Sequence, residues 1–312
     1  MFNDWITELR VKSLLLALTN CALGCAIGFY YGVVTLYTLI AALLIVATGV
    51  LLQILSNFAD DYGDALKNAD GPNRLGPIRA VMLGSISLTQ LRKAMGTVTV
   101  LATICGIAAL FMCVGNDLQT LSWFIFLGAA AVLAAILYTI GLAYGYKGFG
   151  DVAVFIFFGV AAVLGSQILV LAAAGQGTDF FPDTLCLSGA VGLHSVMILH
   201  VASMRDINED RLSGKKTIAS RLGHKMSAVY LAVLFAISVF LSITACITSH
   251  KFWECSILAV AFIPLAASTF RAFKHCEDGS LIAKERKFSL IGAAIHNVAW
   301  MVLLTVDFWF YY

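Results

Sequence analysis

Residues 33–56 read VVTLYTLIAALLIVATGVLLQILS, an uninterrupted run without a charged side chain. A transmembrane helix needs about 20 predominantly apolar residues, so this run is long enough to cross a bilayer. The residues that follow, NFADDYGD at 57–64, contain three aspartates. The sequence therefore predicts a membrane-spanning helix that ends in a group of acids.

Apolar runs of this kind recur along the whole chain. Hydrophobic residues fill 60% of the 312 positions, charged residues fill 12%, and the mean hydropathy is +0.90. Such a composition excludes a soluble domain of this size. We predict one all-α, polytopic membrane domain over residues 1–312 with about nine transmembrane helices. The predicted spans are 13–32, 33–56, 91–114, 119–140, 152–174, 185–204, 226–248, 252–270 and 288–311.

Basic residues predict the orientation of these helices. The segments on the side of the N-terminus carry 19 of the 20 Lys and Arg residues, and Lys251 is the remaining one. Because cytoplasmic loops are enriched in Lys and Arg, we expect the N-terminus and both acidic clusters to be cytoplasmic and the C-terminus to be outside. The first apolar run has no small-residue cleavage site that would end it early, so we expect it to stay in the protein.

The acids after the second span share one helical face if the helix continues. Asn57, Asp60, Asp61 and Asp64 then fall at i, i+3, i+4 and i+7, and Asp70 follows in the next loop. Like charges this close repel each other unless a cation lies between them. The pattern therefore predicts a cation site.

A second acidic cluster follows the sixth span, with Asp206 and Asp210 again at i and i+4. Basic neighbours provide an alternative interpretation, a solvated loop in which they neutralise the acids: Arg205, Arg211, Lys215 and Lys216. The occurrence of two such clusters, after spans two and six, favours a shared site for divalent cations.

Basic residues near the first cluster suit a phosphate ligand. Lys67, Arg74 and Arg79 can donate charge-assisted hydrogen bonds to phosphate oxygens. A diphosphate bridged by Mg²⁺ to the aspartates would fit such a site, since the metal neutralises the charge that the leaving group acquires. We interpret Lys284, Arg286 and Lys287 differently, as residues that set topology and meet lipid headgroups.

Several of these stretches together resemble the UbiA superfamily of intramembrane prenyltransferases. They are LSNFADDYGD at 55–64, RLGPIR at 74–79, YGYKGFGD at 144–151, RDINEDR at 205–211, GKKT at 214–217 and RLG at 221–223. The similarity is greatest to the branch that prenylates 1,4-dihydroxy-2-naphthoate in menaquinone biosynthesis. It extends over nearly the whole chain and implies helices arranged around a central cavity.

The resemblance also implies roles for individual residues. The implied metal ligands are Asp60, Asp61, Asp64, Asp70, Asp206 and Asp210. The implied catalytic residues are Asp64, Asp206, Asp210 and Lys147. The implied substrate-binding residues are Asn57, Lys67, Arg74, Arg79, Tyr138, Tyr146 and Arg205. The implied cofactor is Mg²⁺, for which Mn²⁺ can substitute. The branch usually has Asn at the position of Asp60, so this chain carries one additional carboxylate.

The reaction implied by the resemblance is alkylation of an aromatic ring by an allylic cation, with loss of diphosphate and CO₂. We expect a polyprenyl diphosphate, an aromatic acceptor and the lipid bilayer as partners, and no nucleic acid. The bacterial inner membrane is the expected location. Neither tail length nor oligomeric state follows from the sequence.

Three alternatives share some of these features. A related prenyltransferase that acts on 4-hydroxybenzoate carries the same aspartate motifs and differs only in finer loop sequences. A CDP-alcohol phosphotransferase also uses membrane aspartates and metal, but the chain has no D-G-x-x-A-R segment. A cation transporter would place some carboxylates at mid-membrane, whereas both clusters follow the ends of predicted spans.

The cysteines and histidines predict no further site. The eight cysteines fall mostly within apolar spans and form no C-x-x-C pair, so we expect small hydrophobic packing residues rather than disulfides or zinc ligands. We expect His200 and His296 to have hydrogen-bonded structural roles.

Overall fold

The computed structural model describes residues 2–67, 75–76, 79–115, 117–249, 251 and 254–311. Helices make up most of this part of the chain and it contains no strand, which confirms the predicted fold class. The helices are α1 Phe2–Leu9, α2 Val11–Tyr31, α3 Leu36–Lys67, α4 Leu88–Val114, α5 Leu118–Leu137, α6 Gly150–Ala173, α7 Pro182–Arg205, α8 Ile207–Leu212, α9 Ile218–Thr248, α10 Glu254–Ala261, α11 Ile263–Lys274 and α12 Gly279–Tyr311. A 3₁₀ turn, Tyr144–Lys147, precedes α6.

The observed spans agree with the predicted number. Eight of the described helices are long and apolar enough to cross a membrane, and α10 with α11 makes a ninth if the pair is one span. These two helices meet at a bend of 42°, which the apolar pattern of 252–270 does not reveal. The second predicted span ended at 56, whereas α3 continues to Lys67 and carries the first acidic cluster on its last turns.

Polar side chains at helix starts explain where several of these helices begin. The Ser87 hydroxyl accepts from the amide of Gln90, and the Gln90 side chain accepts from the amide of Ser87 at 2.8 Å. The side chains of Asp117 and Thr217 accept from backbone amides at the starts of α5 and α9. Such caps satisfy backbone N–H groups that have no partner within the helix.

Glycines allow the helices to approach closely. A Cβ added at Gly28 in α2 would lie 2.7 Å from Cβ of Val170 in α6, and one at Gly159 would lie 2.6 Å from Cα of Gly192 in α7. Transmembrane helices associate largely through close packing of this kind. The packing brings the N-terminal ends of α2 and α12 and the C-terminal ends of α3 and α7 together with the loops that carry the motifs.

The histidines take the structural roles that the sequence suggested. His200 Nε2 lies 3.0 Å from the carbonyl oxygen of Ser227, and His296 Nε2 lies 2.9 Å from the Ser242 hydroxyl. Both histidines are buried between helices. None of the eight cysteines forms a disulfide in the structure.

Candidate active site

The first acidic cluster is held by an arginine from the N-terminus. Arg10 separates α1 from α2 and has a φ of 51°, a left-handed conformation that is uncommon for a residue with a side chain. Its guanidinium pairs with Asp60 at 2.8 Å and also with Asp61, on the last turns of α3. Arg79 contributes a second guanidinium, 3.2 Å from Asp61. Asp61 is only 1% exposed, and these two guanidinium groups neutralise its buried charge.

Glu8 lies beside this arrangement and was not singled out by the sequence. Its carboxylate accepts a hydrogen bond of 2.7 Å from the amide of Val81, and its side chain is fully buried. Burial, together with the neighbouring Asp61, raises the pKa of Glu8 to about 7. The N-terminal helix α1 thus places the acidic residue Glu8 beside the end of α3, and the basic residue Arg10 directly after α1 contacts the same region.

Asp64 binds a different set of partners. Its carboxylate accepts from the Tyr146 hydroxyl and from the Lys215 ammonium, the latter at 3.1 Å. The ammonium groups of Lys67 and Lys215 lie 4.1 and 4.6 Å from the centre of the Tyr146 ring. Burial raises the pKa of Tyr146 above its ordinary value, with the Asp64 charge as the next cause. Tyr146 is therefore a neutral hydrogen-bond donor between two cations and an acid.

The second acidic cluster lies at the break between α7 and α8. Asp206 is bound by its neighbour Arg205, with Nε at 2.6 Å, and its side chain remains 18% exposed. Asp210 is buried and accepts from the Thr217 hydroxyl at 3.1 Å. Burial raises the pKa of Asp210 to about 6, while the Lys215 charge acts in the opposite direction.

Backbone contacts connect the loops that carry these groups. The amide of Lys216 donates to the carbonyl of Tyr146 at 2.7 Å, and the Arg221 guanidinium donates to the carbonyl of Lys147 at the same distance. The Lys147 side chain itself is exposed. The predicted role of Lys147 in catalysis stays a prediction, since its observed contact is made by the backbone.

A cavity of about 1270 Å³ lies between the helices. Its polar end is lined by Arg10, Asp60, Arg79, Arg205 and Arg286, and apolar residues of the helices from α2 to α7 and of α12 line the rest. Tyr138 also lines it, with the Tyr144 ring 5.3 Å away edge-on. Of the predicted metal ligands that the structure describes, Asp60 lines the cavity, whereas Asp61, Asp64, Asp206 and Asp210 do not.

The remaining predicted site residues have definite places. Asn57 is buried and donates to the carbonyl of Leu9 at 3.0 Å and to the Ser13 hydroxyl at 3.1 Å, so its amide holds the start of α2. Lys67 donates to the carbonyl of Thr139 at 2.5 Å. Asp70 and Arg74 lie outside the described residues.

The donor set suits a magnesium ion that is bound with its substrate. Within residues that the structure describes, no three His, Cys, Asp or Glu side chains lie close enough together to hold a metal ion. The acids instead pair with basic residues or hydroxyls. Mg²⁺ prefers oxygen ligands and usually combines one or two carboxylates with substrate phosphates and water, rather than a cage made only of protein.

Comparison with known proteins identifies the family. The model of the UbiA prenyltransferase family matches residues 17–298. The chain belongs to the UbiA prenyltransferase family. UbiA-family relatives named 1,4-dihydroxy-2-naphthoate octaprenyltransferase include one from Escherichia coli (strain K12), 33% identical over 98% of this chain and 96% of that protein. One from Mycobacterium leprae (strain TN) is 33% identical over 89% of this chain and 88% of that protein.

Solved UbiA structures share the fold. A UbiA homologue from Aeropyrum pernix K1 superposes with a TM-score of 0.72 at 16% identity, covering 95% of this chain and 99% of that one. A UbiA homologue from Archaeoglobus fulgidus bound to DMAPP and Mg²⁺ has a TM-score of 0.64 at 16% identity, covering 97% and 99%. These likenesses establish the multi-pass UbiA architecture for this chain.

Three basic residues of this UbiA-family protein reach the site although the sequence assigned them no function there. Arg10 contacts the first cluster, Lys215 contacts Asp64, and Arg286 lines the cavity. For Arg10, the only available signal was its place in the stretch that opens the first span. For Arg286, the signal is its helical spacing, because Ala283, Arg286 and Leu290 at i, i+3 and i+7 share one face of α12.

Proposed function

We propose that this protein transfers a polyprenyl group from a polyprenyl diphosphate to 1,4-dihydroxy-2-naphthoate, releasing diphosphate and CO₂ and giving the quinol form of demethylmenaquinone. The observation that carries this proposal is the similarity, over nearly the full length of both chains, to enzymes named for that acceptor. Family membership and the position of the acids at helix ends argue against the transport alternative.

The residues of the two acidic clusters suit the binding of a diphosphate through metal. Asp60, Asp64, Asp206 and Asp210 are the acids that would hold Mg²⁺. The ion, when bound, supplies the positive charge that stabilises the departing diphosphate. Asp60, Asp64 and Asp206 pair with basic side chains in the structure, so binding of metal and diphosphate would exchange these ion pairs for contacts with the substrate. Mn²⁺ has the same preference for oxygen ligands and is a possible substitute.

Cationic groups of the chain would bind the phosphate oxygens. Lys67 and Lys215 both lie close to the Tyr146 ring, and Arg79 and Arg205 lie at the polar end of the cavity. Charge-assisted hydrogen bonds from such groups favour the separation of diphosphate from the prenyl carbon. Asp64, Asp206, Asp210 and Lys147 remain the catalytic residues that we propose, with Asn57 as a residue that supports the substrate site.

The cavity explains how the cation formed at the prenyl carbon would be protected. Its walls are mostly apolar, which disfavours water beside the cation, and the aromatic residues Tyr138 and Tyr144 line it as well. The bond from the prenyl carbon to diphosphate oxygen breaks, and a ring carbon of the acceptor bonds to that carbon. The carboxylate then leaves as CO₂, which returns the bonding electron pair to the ring.

The distribution of basic residues supports an orientation in the bacterial inner membrane. The polar end of the cavity lies with the N-terminus, where nearly all Lys and Arg residues occur. We therefore place the N-terminus and the site on the cytoplasmic side and the C-terminus outside.

Product formation by the purified protein tests this proposal. The assay contains a polyprenyl diphosphate, Mg²⁺ and either 1,4-dihydroxy-2-naphthoate or 4-hydroxybenzoate, with and without EDTA. We expect prenylation of the naphthoate with release of CO₂, and none when EDTA is present. Prenylation of the benzoate alone would agree with the family but contradict the proposed acceptor. Turnover that persists in EDTA would contradict the proposed dependence on a divalent metal.

A further inference from the structure

Among the described residues, the polar end of the cavity carries more positive charge than its acids neutralise. Four arginines of this part of the chain line it, and three of them pair with acids: Arg10 with Asp60 and Asp61, Arg79 with Asp61, and Arg205 with Asp206. Arg286 is the fourth, and within the described part of the chain its guanidinium has no hydrogen bond or ion pair. Lys12 and Lys287 also line this end.

Arg286 is directed toward the cavity by its place in α12. Ala283, Arg286, Lys287 and Leu290 all line the cavity, and their spacing of i, i+3, i+4 and i+7 defines one helical face. The acid next to Arg286 in sequence, Glu285, is turned away and binds the Arg271 guanidinium through both oxygens, at 2.8 and 2.9 Å. Glu285 therefore does not neutralise Arg286.

The neighbours of Arg286 make it a site for an anion. Arg10, Arg79 and Arg205 are within electrostatic range and repel its charge, whereas Asp60 is the acid that attracts it. A partly buried guanidinium among three others is unfavourable unless further negative charge arrives. A ligand with an anionic group would supply that charge.

The two substrates of the proposed reaction both carry anionic groups, and they differ in where they fit. The groups proposed to hold the diphosphate include Arg79 and Arg205, which line the polar end and pair with acids, and Asp64 and Asp210, which do not line the cavity and are contacted by Lys215 and Thr217. Arg286 lies on the cavity side, where Leu290 and other apolar residues can accept an aromatic ring. A guanidinium also matches a planar carboxylate with two parallel hydrogen bonds.

We infer that Arg286 binds the carboxylate of the aromatic acceptor and thereby selects acceptors that carry one. This inference rests on the proposed function and adds a specificity-determining residue to it. Arg286 holds the acceptor by its carboxylate at the polar end, so that the ring extends into the apolar part of the cavity.

Equilibrium binding in the absence of prenyl diphosphate tests the inference without turnover. The probes are 1-hydroxy-2-naphthoate and 1-naphthol, which differ only in the carboxylate, and a prenyl thiolodiphosphate for the other substrate. The variants are Arg286→Gln and Arg286→Lys. Lys284→Gln is the matched control, because Lys284 is an exposed residue of the same helix that does not line the cavity.

We expect the unmodified protein to bind the naphthoate at least about tenfold more tightly than the naphthol. Arg286→Gln should abolish this preference and leave binding of the thiolodiphosphate unchanged. Arg286→Lys should retain part of the preference, and Lys284→Gln should behave as the unmodified protein.

Three outcomes would overturn the inference. The first is an absence of carboxylate preference in the unmodified protein. The second is that Arg286→Gln weakens binding of the thiolodiphosphate but still binds the naphthoate more tightly than the naphthol. If Arg286→Gln does not fold, the same result with Arg286→Lys counts. The third is a folded Arg286 variant that changes neither the carboxylate preference nor the binding of the thiolodiphosphate. Failure of the proposed function is a separate result, because it would appear as no product from 1,4-dihydroxy-2-naphthoate while carboxylate binding could still depend on Arg286.

Discussion

The ammonium of Lys215 lies 3.1 Å from the carboxylate of Asp64, although 151 residues separate them in the chain. This contact joins the two acidic motifs, since Lys215 follows the second motif and Asp64 closes the first. The same ammonium lies over the Tyr146 ring, whose hydroxyl also donates to Asp64. One basic residue therefore connects three segments of the proposed site.

Replacing Lys215 should impair turnover without unfolding the protein. Lys215→Gln removes a charge-assisted hydrogen bond to a buried acid and a cation proposed to bind phosphate oxygens, so we expect turnover to fall about tenfold or more. Lys216→Gln is the control, because the Lys216 side chain is exposed and its known contacts are made by the backbone. Equal rates for the two variants would contradict the proposed role of Lys215.

The two motifs should both be essential. We expect Asp64→Ala and Asp206→Ala to abolish prenylation in purified protein that keeps its helical circular dichroism, because each removes a carboxylate proposed to hold Mg²⁺. Glu277→Gln serves as a control, since Glu277 is exposed and pairs only loosely with Lys225, at 3.6 Å. Unchanged turnover in either aspartate variant would remove that residue from the site.

Asp60 should be replaceable by the residue that is usual in the resembling branch. Asp60→Asn should retain or raise turnover, because Arg10 keeps its contacts with Asp61 and the site loses a charge that repels diphosphate. Initial rates at several Mg²⁺ concentrations would measure this. A complete loss of activity would mean that this chain uses Asp60 as an indispensable metal ligand.

A buried ion pair far from the site should affect stability rather than catalysis. Lys251 pairs with Asp307 at the opposite end of the helices and donates to the Tyr30 hydroxyl at 3.3 Å, and both charged residues are buried. Removing one partner of such a pair typically costs about 3–5 kcal/mol, so Asp307→Ala should lower the thermal midpoint of unfolding clearly.

The exposed pair Lys225–Glu277 provides the comparison for that measurement. Surface pairs contribute at most about 1 kcal/mol, so Lys225→Gln should leave the midpoint almost unchanged. Turnover of Asp307→Ala at a temperature well below its midpoint should match that of the unmodified protein. If the two variants unfold at the same temperature, the buried pair does not stabilise the fold as we expect.

The sequence by itself determined the class of protein and the chemistry of its acids. Length of apolar runs and placement of basic residues are local properties, so they predicted the membrane helices and the position of Asp60, Asp61 and Asp64 on one helical face. Hydropathy does not report where helical hydrogen bonding continues or breaks. It therefore did not predict the end of α3 at Lys67 or the bend between α10 and α11.

Only the tertiary structure decided which charges meet. Asp61 was predicted as a metal ligand, and the fold surrounds it with Arg10 and Arg79, from two other segments. Arg286 was assigned to topology, and the packing of α12 places it in the cavity. The physical reason is the same in both cases. A charge pattern along the chain identifies residues that need a partner, whereas the partner is selected by helices that pack together across long separations in sequence.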